Sequence, residues 1–126
     1  DAMIARFESL GPGSTAEDAS RLLLVTAQHE FPVVGDDGDL RGMVTRDALI
    51  RALSEDGPQT PVSRFMTEVP AAAPGDPLDG VMDSVGRSPS RTVAVRDAAG
   101  RFIGYVSREN LMELFMLRDA RERPGG

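Results

Sequence analysis

The 126-residue sequence has no cysteine, no lysine and no tryptophan, and its one histidine is His29. Without cysteine there is no disulfide, no thiol nucleophile and no thiolate zinc site. One histidine excludes a multi-histidine metal centre. The longest apolar runs, Leu22 to Val25 and Leu114 to Leu117 among them, fall far short of the roughly 20 residues that a membrane-crossing helix needs. No membrane insertion of this piece is therefore expected. Fourteen cations, all arginine, face twenty acidic residues, for a net charge of -6. An acidic chain lacks the basic stripe that a nucleic-acid backbone requires. The chain shows no nucleophile–base pair and no cluster of metal-ligating residues, so it is not expected to be an enzyme itself. It opens on Asp1 rather than on methionine, which fits a module of a longer protein.

What is present is a repeat. Shifted by 62 residues, the sequence aligns with itself. Pro12-Gly13 falls on Pro74-Gly75, Val33 on Val95, Gly38 on Gly100, Gly42 on Gly104 and Val44 on Val106. Thr45 falls on Ser107, Arg46 on Arg108 and Leu49 on Leu111, and Met3 matches Met66 after a one-residue gap. Self-similarity at a fixed period marks a repeated structural unit.

Each half reads alike. After the Pro-Gly turn, Ser14 and Glu17 have the spacing of a helix capping box. Ala19, Leu22, Leu23 and Thr26 then recur with helical period. In the second half Asp76 reads as the cap with Pro77 behind it, and Val81, Met82 and Val85 continue the apolar face. Two strands follow, 31–34 and 40–44 or 92–95 and 102–106, joined by Asp/Gly turns that predict hairpins. Closing helices are expected over 46–54 and 108–122. The resulting division is a first repeat over 1–56, a linker at 57–61, a second repeat over 62–122 and a tail at 123–126. One such unit is too small to bury much core. The expected fold class is α/β (α+β), two β-α-β-β-α repeats packed with pseudo-two-fold symmetry.

The segment FPVVGDDGDLRGMVTRDALIRAL and its counterpart TVAVRDAAGRFIGYVSRENLMEL resemble the end of a cystathionine-β-synthase (CBS) domain, in two copies. The pattern is an apolar strand, an acidic Gly turn, Gly-apolar-apolar-Thr/Ser and an Asp or Asn three residues later. The resemblance implies a tandem CBS pair, or Bateman module. It implies a regulatory unit that binds an adenine nucleotide (AMP, ADP or ATP) in a cleft between the repeats, forms a homodimer and controls an effector domain in the same chain. The alternative is a ligand-free dimerisation module. The closing stretch VSRENLMELFMLRDA is similar to CBS pairs that follow site-2-type intramembrane zinc metalloproteases. That similarity implies a cytoplasmic-side module of an integral membrane parent, with zinc only in an upstream protease domain.

Thr45 and Ser107 each end a strand at a helix start, where a hydroxyl and backbone N–H groups suit phosphate and also suit simple capping. The family's ribose contact lies three residues after the hydroxyl. Asn110 fills that place in the second half, and Ala48 leaves it empty in the first. Arg46, Arg91 and Arg108 are candidate phosphate partners through forked N–H donors. The tighter site is expected to combine Ser107, Asn110 and Arg91. His29 reads as a surface residue, and Asp36, Asp37 and Asp39 as turn formers rather than calcium ligands, because the twelve-residue loop pattern is missing. The apolar excess of the last helix points to a dimer contact through Leu111, Phe115 and Met116.

Overall fold

The computed structural model describes residues 3–122; the tail assigned to 123–126 lies outside them. Helix α1 (Ala16–Val25) precedes the strands β1 (Glu30–Val34) and β2 (Leu40–Thr45) and helix α2 (Arg46–Glu55). A single 3-10 turn, Val62–Arg64, leads to the short strand β3 (Ala71–Ala72), helix α3 (Leu78–Arg87), strands β4 (Thr92–Arg96) and β5 (Phe102–Ser107), and helix α4 (Arg108–Glu122).

Both expected hairpins form. Antiparallel β1 and β2 pair Phe31 with Val44 and Val33 with Gly42. Antiparallel β4 and β5 pair Val93 with Val106 and Val95 with Gly104. Each hairpin slips register at the same repeat position, between Val33 and Val34 and between Val95 and Arg96. Gly38 and Gly100 take φ values of 81° and 82° in the turns, a region open to glycine at no steric cost. A parallel partner flanks each hairpin: Ala72 beside Val95 and, 62 residues earlier, Leu10 beside Val33.

The helix starts differ from the expectation. Thr15 rather than Ser14 caps α1, and Asp18 rather than Glu17 returns the bond, with the Thr15 N–H donating to Asp18 Oδ2 at 2.9 Å. Ser14 Oγ instead accepts from the Gly11 N–H at 3.1 Å. Asp76 does not cap α3. Its carboxylate accepts from the Ala73 N–H at 2.9 Å and closes the preceding turn, and Pro77 at the N-cap offers no side-chain bond.

Two apolar cores result. One joins Leu10, Ala16, Phe31, Val33, Val44, Leu49 and Val62. The other joins Val85, Val93, Val95, Val106 and Leu111. Leu111 is fully buried there, so it is withdrawn from the expected dimer face. Met112, Met116 and Leu117 stay exposed on α4.

The halves exchange their opening segments. Thr67 and Met43 trade backbone bonds, both at 2.9 Å, so residues near the start of the second half cover β2 of the first. Ile4 and Tyr105 do the same at 2.7 and 3.0 Å, so the start of the chain covers β5 of the second. Val62, Phe65 and Met66 accordingly pack on the first core. Gly42 and Gly104 lie under these crossings. A Cβ on Gly42 would meet Met66 Cγ at 2.9 Å, and one on Gly104 would meet the Ile4 carbonyl oxygen at 2.6 Å. Only glycine lets the exchanged segments approach so closely. Phe7 packs tilted against Phe102 and edge-on against Tyr105, with centroids 5.6 and 5.4 Å apart, and Arg96 pairs with Asp39 across the halves.

Candidate functional site: two repeat-related clefts

Strand β2 delivers Thr45 to the start of α2, and β5 delivers Ser107 to the start of α4. Thr45 Oγ1 accepts from the Ala48 N–H at 3.2 Å. Ser107 Oγ accepts from the Asn110 N–H at 3.2 Å and also donates to Asn110 Oδ1. Both hydroxyls are therefore helix caps, as the sequence allowed. In each half the first helical N–H is tied to the residue before the opening strand of the hairpin. Arg46 N–H donates to the His29 carbonyl at 3.1 Å, and Arg108 N–H to the Arg91 carbonyl at 3.0 Å.

Two clefts open at these helix starts. The first, of about 630 Å³, is lined by the first turn of α2 with Thr45, Arg46 and Ala48, by Arg51, and by Pro89, Ser90 and Arg91 from the other half. The second, of about 310 Å³, is lined by Ser107 and Asn110 at the start of α4 and by Ala27, Gln28 and His29 from the first half. The lining residues correspond under the 62-residue shift: Ala27 to Pro89, Gln28 to Ser90, His29 to Arg91 and Ala48 to Asn110. Each cleft thus takes a helix start from one half and a pre-strand loop from the other.

This geometry separates residues that the sequence grouped. Thr45, Arg46 and Arg91 share the larger cleft, Ser107 and Asn110 the smaller, and Arg108 lines neither. Arg91 therefore stands with Thr45 and not beside Asn110. His29, read as a surface residue, lines both clefts, as do Glu30 and Glu109. These two acids and Arg51 carried no motif. The 62-residue offset linked His29 to Arg91, but only the packing of the halves shows that each faces the other half's helix.

The larger cleft sets Arg46, Arg51 and Arg91 against Glu30, Asp47 and Glu109. The smaller has the two glutamates and no arginine. Glu30 is buried, and burial is the main cause that lifts its carboxyl above the usual range. Glu109 adds to the lift, while a hydrogen bond with Tyr105 and the nearby His29 oppose it. Burial and the Glu30 charge hold the Tyr105 phenol well above its ordinary value.

Arg91 has the one left-handed backbone among the described non-glycine residues, with φ of 57°. Such strain costs on the order of 1–2 kcal/mol. It is held by the surroundings. The Arg91 guanidinium donates to the Gly86 carbonyl at the end of α3. Ser88, Ser90 and Thr92 form a buried hydroxyl chain beneath it, with 3.2 and 2.6 Å between successive oxygens. Among the described residues no group of His, Asp and Glu could hold a metal ion, and no helix is long and apolar enough to cross a membrane.

Two strand–helix units with exchanged edges and a cleft at each helix start define a tandem α/β module. Residues 1–55 match the family model of the CBS domain, and the whole chain has the fold of CBS-pair proteins. CBSX2 from Arabidopsis thaliana superimposes with a TM-score of 0.80 at 23% identity, covering 98% of this chain and 96% of that one. A structure of CBSX2 in complex with AMP matches with a TM-score of 0.74 at 21% identity, over 94% and 93%. A hemolysin-like CBS-domain protein of Oenococcus oeni PSU matches with a TM-score of 0.78 at 23% identity, over 90% and 85%. No curated protein matches the chain in sequence.

Proposed function

We propose that this module senses an adenine nucleotide in the Thr45/Arg91 cleft and regulates an effector in the same parent chain. The carrying observation is that Arg46, Arg51 and Arg91 converge there from both halves on the N-terminus of α2. Guanidinium groups and a helix N-terminus both favour phosphate. A ligand that touches both walls binds one arrangement of the halves better than another and shifts the balance between them. The AMP complex of CBSX2 supports adenine as the base. The likeness of the closing helix to CBS pairs behind site-2-type metalloproteases supports a membrane-bound zinc protease as the effector, with the module on the cytoplasmic side.

Calorimetry with AMP, ADP and ATP tests the reading. Loss of a charge-assisted hydrogen bond costs about 1.5–3 kcal/mol, so Arg91→Ala should weaken binding roughly ten- to a hundred-fold. Thr45→Ala should weaken it less. Equal affinity in Arg91→Ala would move the nucleotide elsewhere. No binding at millimolar nucleotide would favour the ligand-free dimerisation module, which Ala48, with no polar side chain at the ribose position, also supports.

Dimerisation belongs to both readings. Met112, Met116 and Leu117 are 47%, 69% and 58% exposed on one helix, an apolar surface that a second copy would cover. Light scattering should give twice the 13.5 kDa chain mass, and Met116→Glu should return it to the monomer. A monomer in the parent sequence at high micromolar concentration would refute the homodimer.

A further inference from the structure

We propose that the groove beside the start of α3 holds an extended segment of the parent chain, the one that leads into Met3, through backbone pairing and one inserted apolar side chain. The proposal rests on the reading above only for an effector in the same chain; the groove argument is independent of it. The groove encloses about 300 Å³ and is walled by Met3, Ala72, Leu78, Val81, Leu111 and Leu114 together with the Pro74-Gly75 turn. No charged side chain lines it.

The first half shows what such a groove takes. There the linker between the halves runs past the start of α1. The Val62 N–H donates to the Ser14 carbonyl at 2.9 Å, the Ala16 N–H to the Thr60 carbonyl at 2.8 Å and the Glu17 N–H to the Pro58 carbonyl at 2.9 Å. Pro61 is extended, with φ of -64° and ψ of 140°, and Val62 is fully buried in the first core. Under the 62-residue shift Ser14, Ala16 and Glu17 become Asp76, Leu78 and Asp79. Among the described residues nothing bonds to the Asp76 carbonyl or to the N–H groups of Leu78 and Asp79, and Pro77 offers no side-chain cap. A helix start leaves such donors without intrahelical partners, and an extended peptide pairs with them through its carbonyls. Leu78 and Val81 are larger than their counterparts Ala16 and Ala19, yet the groove stays open. Ala72 stands there for Leu10, and among the described residues no counterpart of Val62 enters it.

Chain order fixes the source. Met66 lies over Gly42 and Met3 over Gly104, so a segment that leads into Met3 reaches this groove as Val62 reaches its own. The repeat also fixes the chemistry. Gln59 donates to Glu17 at 3.4 Å, and Asp79 holds that place in the second half. The segment is therefore uncharged or basic, with a valine-sized residue at the buried position. Ile4, next after Met3, is bonded to Tyr105, which meets Glu30 in the wall of the larger cleft. The effector's attachment thus adjoins the nucleotide site.

Amide hydrogen exchange, read by NMR or mass spectrometry, tests this in two chains. In the first, Pro-Gln-Thr-Pro-Val-Ser, the sequence of 58–63, is added ahead of Asp1, which sets its valine in the register of Val62. The tether gives the probe a high effective concentration. Exchange at Leu78 and Asp79 should slow by about tenfold or more relative to the 126-residue chain, and the melting temperature should rise. The same extension with aspartate in place of its valine should do neither. In the second, the full parent protein, the two amides should exchange as slowly as in the extended chain. Unslowed exchange at both amides in the extended chain overturns the proposal. So does fast exchange in the parent protein, which would place the leading segment elsewhere. The two readings fail separately. AMP binding without this protection sinks only the groove, and this protection without AMP binding sinks only the nucleotide cleft.

Discussion

The two clefts descend from one repeated pattern, yet one gathers three arginines and the other none. Their frames agree closely. Each has a hydroxyl cap, a pre-strand carbonyl holding the first helical N–H, and a glycine under an exchanged strand. The divergence lies in side chains: Arg91 against His29, Asn110 against Ala48, Arg51 against Glu113 and Glu30 against Thr92. A repeated backbone therefore preserves the two clefts and leaves their charge free to change. The comparison also has a mechanical side. Glu30, His29 and Glu109 belong to both clefts, so the two sites share a wall.

The largest expected difference between the halves lies under the crossings. Adding a methyl at Gly104 forces a backbone carbonyl, Ile4 O, and Met3 Cγ away from 2.6 and 2.8 Å. At Gly42 the nearest atoms are the flexible Met66 Cγ and Sδ at 2.9 and 3.0 Å, with the Thr67 carbonyl at 3.0 Å. Overpacking costs about 1–3 kcal/mol. Gly104→Ala should fall at the upper end, and Gly42→Ala near 1 kcal/mol. Urea unfolding at unchanged slope measures both. Equal losses would mean that the second half yields as easily as the first.

That exchange could not be read from the sequence, for a physical reason. A shift of 62 residues maps each half onto the other whether or not the opening segments swap, so Met3 and Met66 match either way. The hairpins were legible because their signals are local: Gly38 and Gly100 between apolar runs. The cap of α1 was misplaced by one residue because the string Ser14-Thr15-Ala16-Glu17-Asp18 holds two overlapping pairs at the same spacing. Only the fold decides between them, by giving Ser14 Oγ the Gly11 N–H. The clefts followed the same rule. Thr45, Ser107 and Asn110 were found from a motif, whereas Glu30 and Glu109 enter through packing across the halves. Leu111 was legible as apolar, but the side of α4 it faces depends on β4 and α3.

A smaller effect separates Glu30 from its repeat counterpart, Thr92. Both open the first strand of their hairpin, and both are buried. Thr92 is neutral and joined to Ser90 by a 2.6 Å hydroxyl contact. Glu30 titrates, and His29, Tyr105 and Glu109 are the groups that bear on it. Its carboxyl is held above the ordinary 4.5, so the folded chain keeps a proton that the unfolded chain has released. Stability therefore falls as pH rises from 4.5 through the raised value, with a slope no steeper than about 1.4 kcal/mol per pH unit. Asp37, Asp39 and Asp97 act in the opposite sense. Hydrogen bonds from backbone and arginine hold them below the ordinary 3.8, so the stability they confer is present above that value and lost as pH falls. Glu30→Gln keeps an acceptor for the Tyr105 hydroxyl and removes the titration. It should flatten the decline above pH 4.5 and raise the melting temperature at pH 7, while Thr92→Val leaves the pH profile parallel to that of the parent. Melting curves from pH 4 to pH 8 decide the matter, and a Glu30→Gln profile parallel to the parent would place the buried proton on another group.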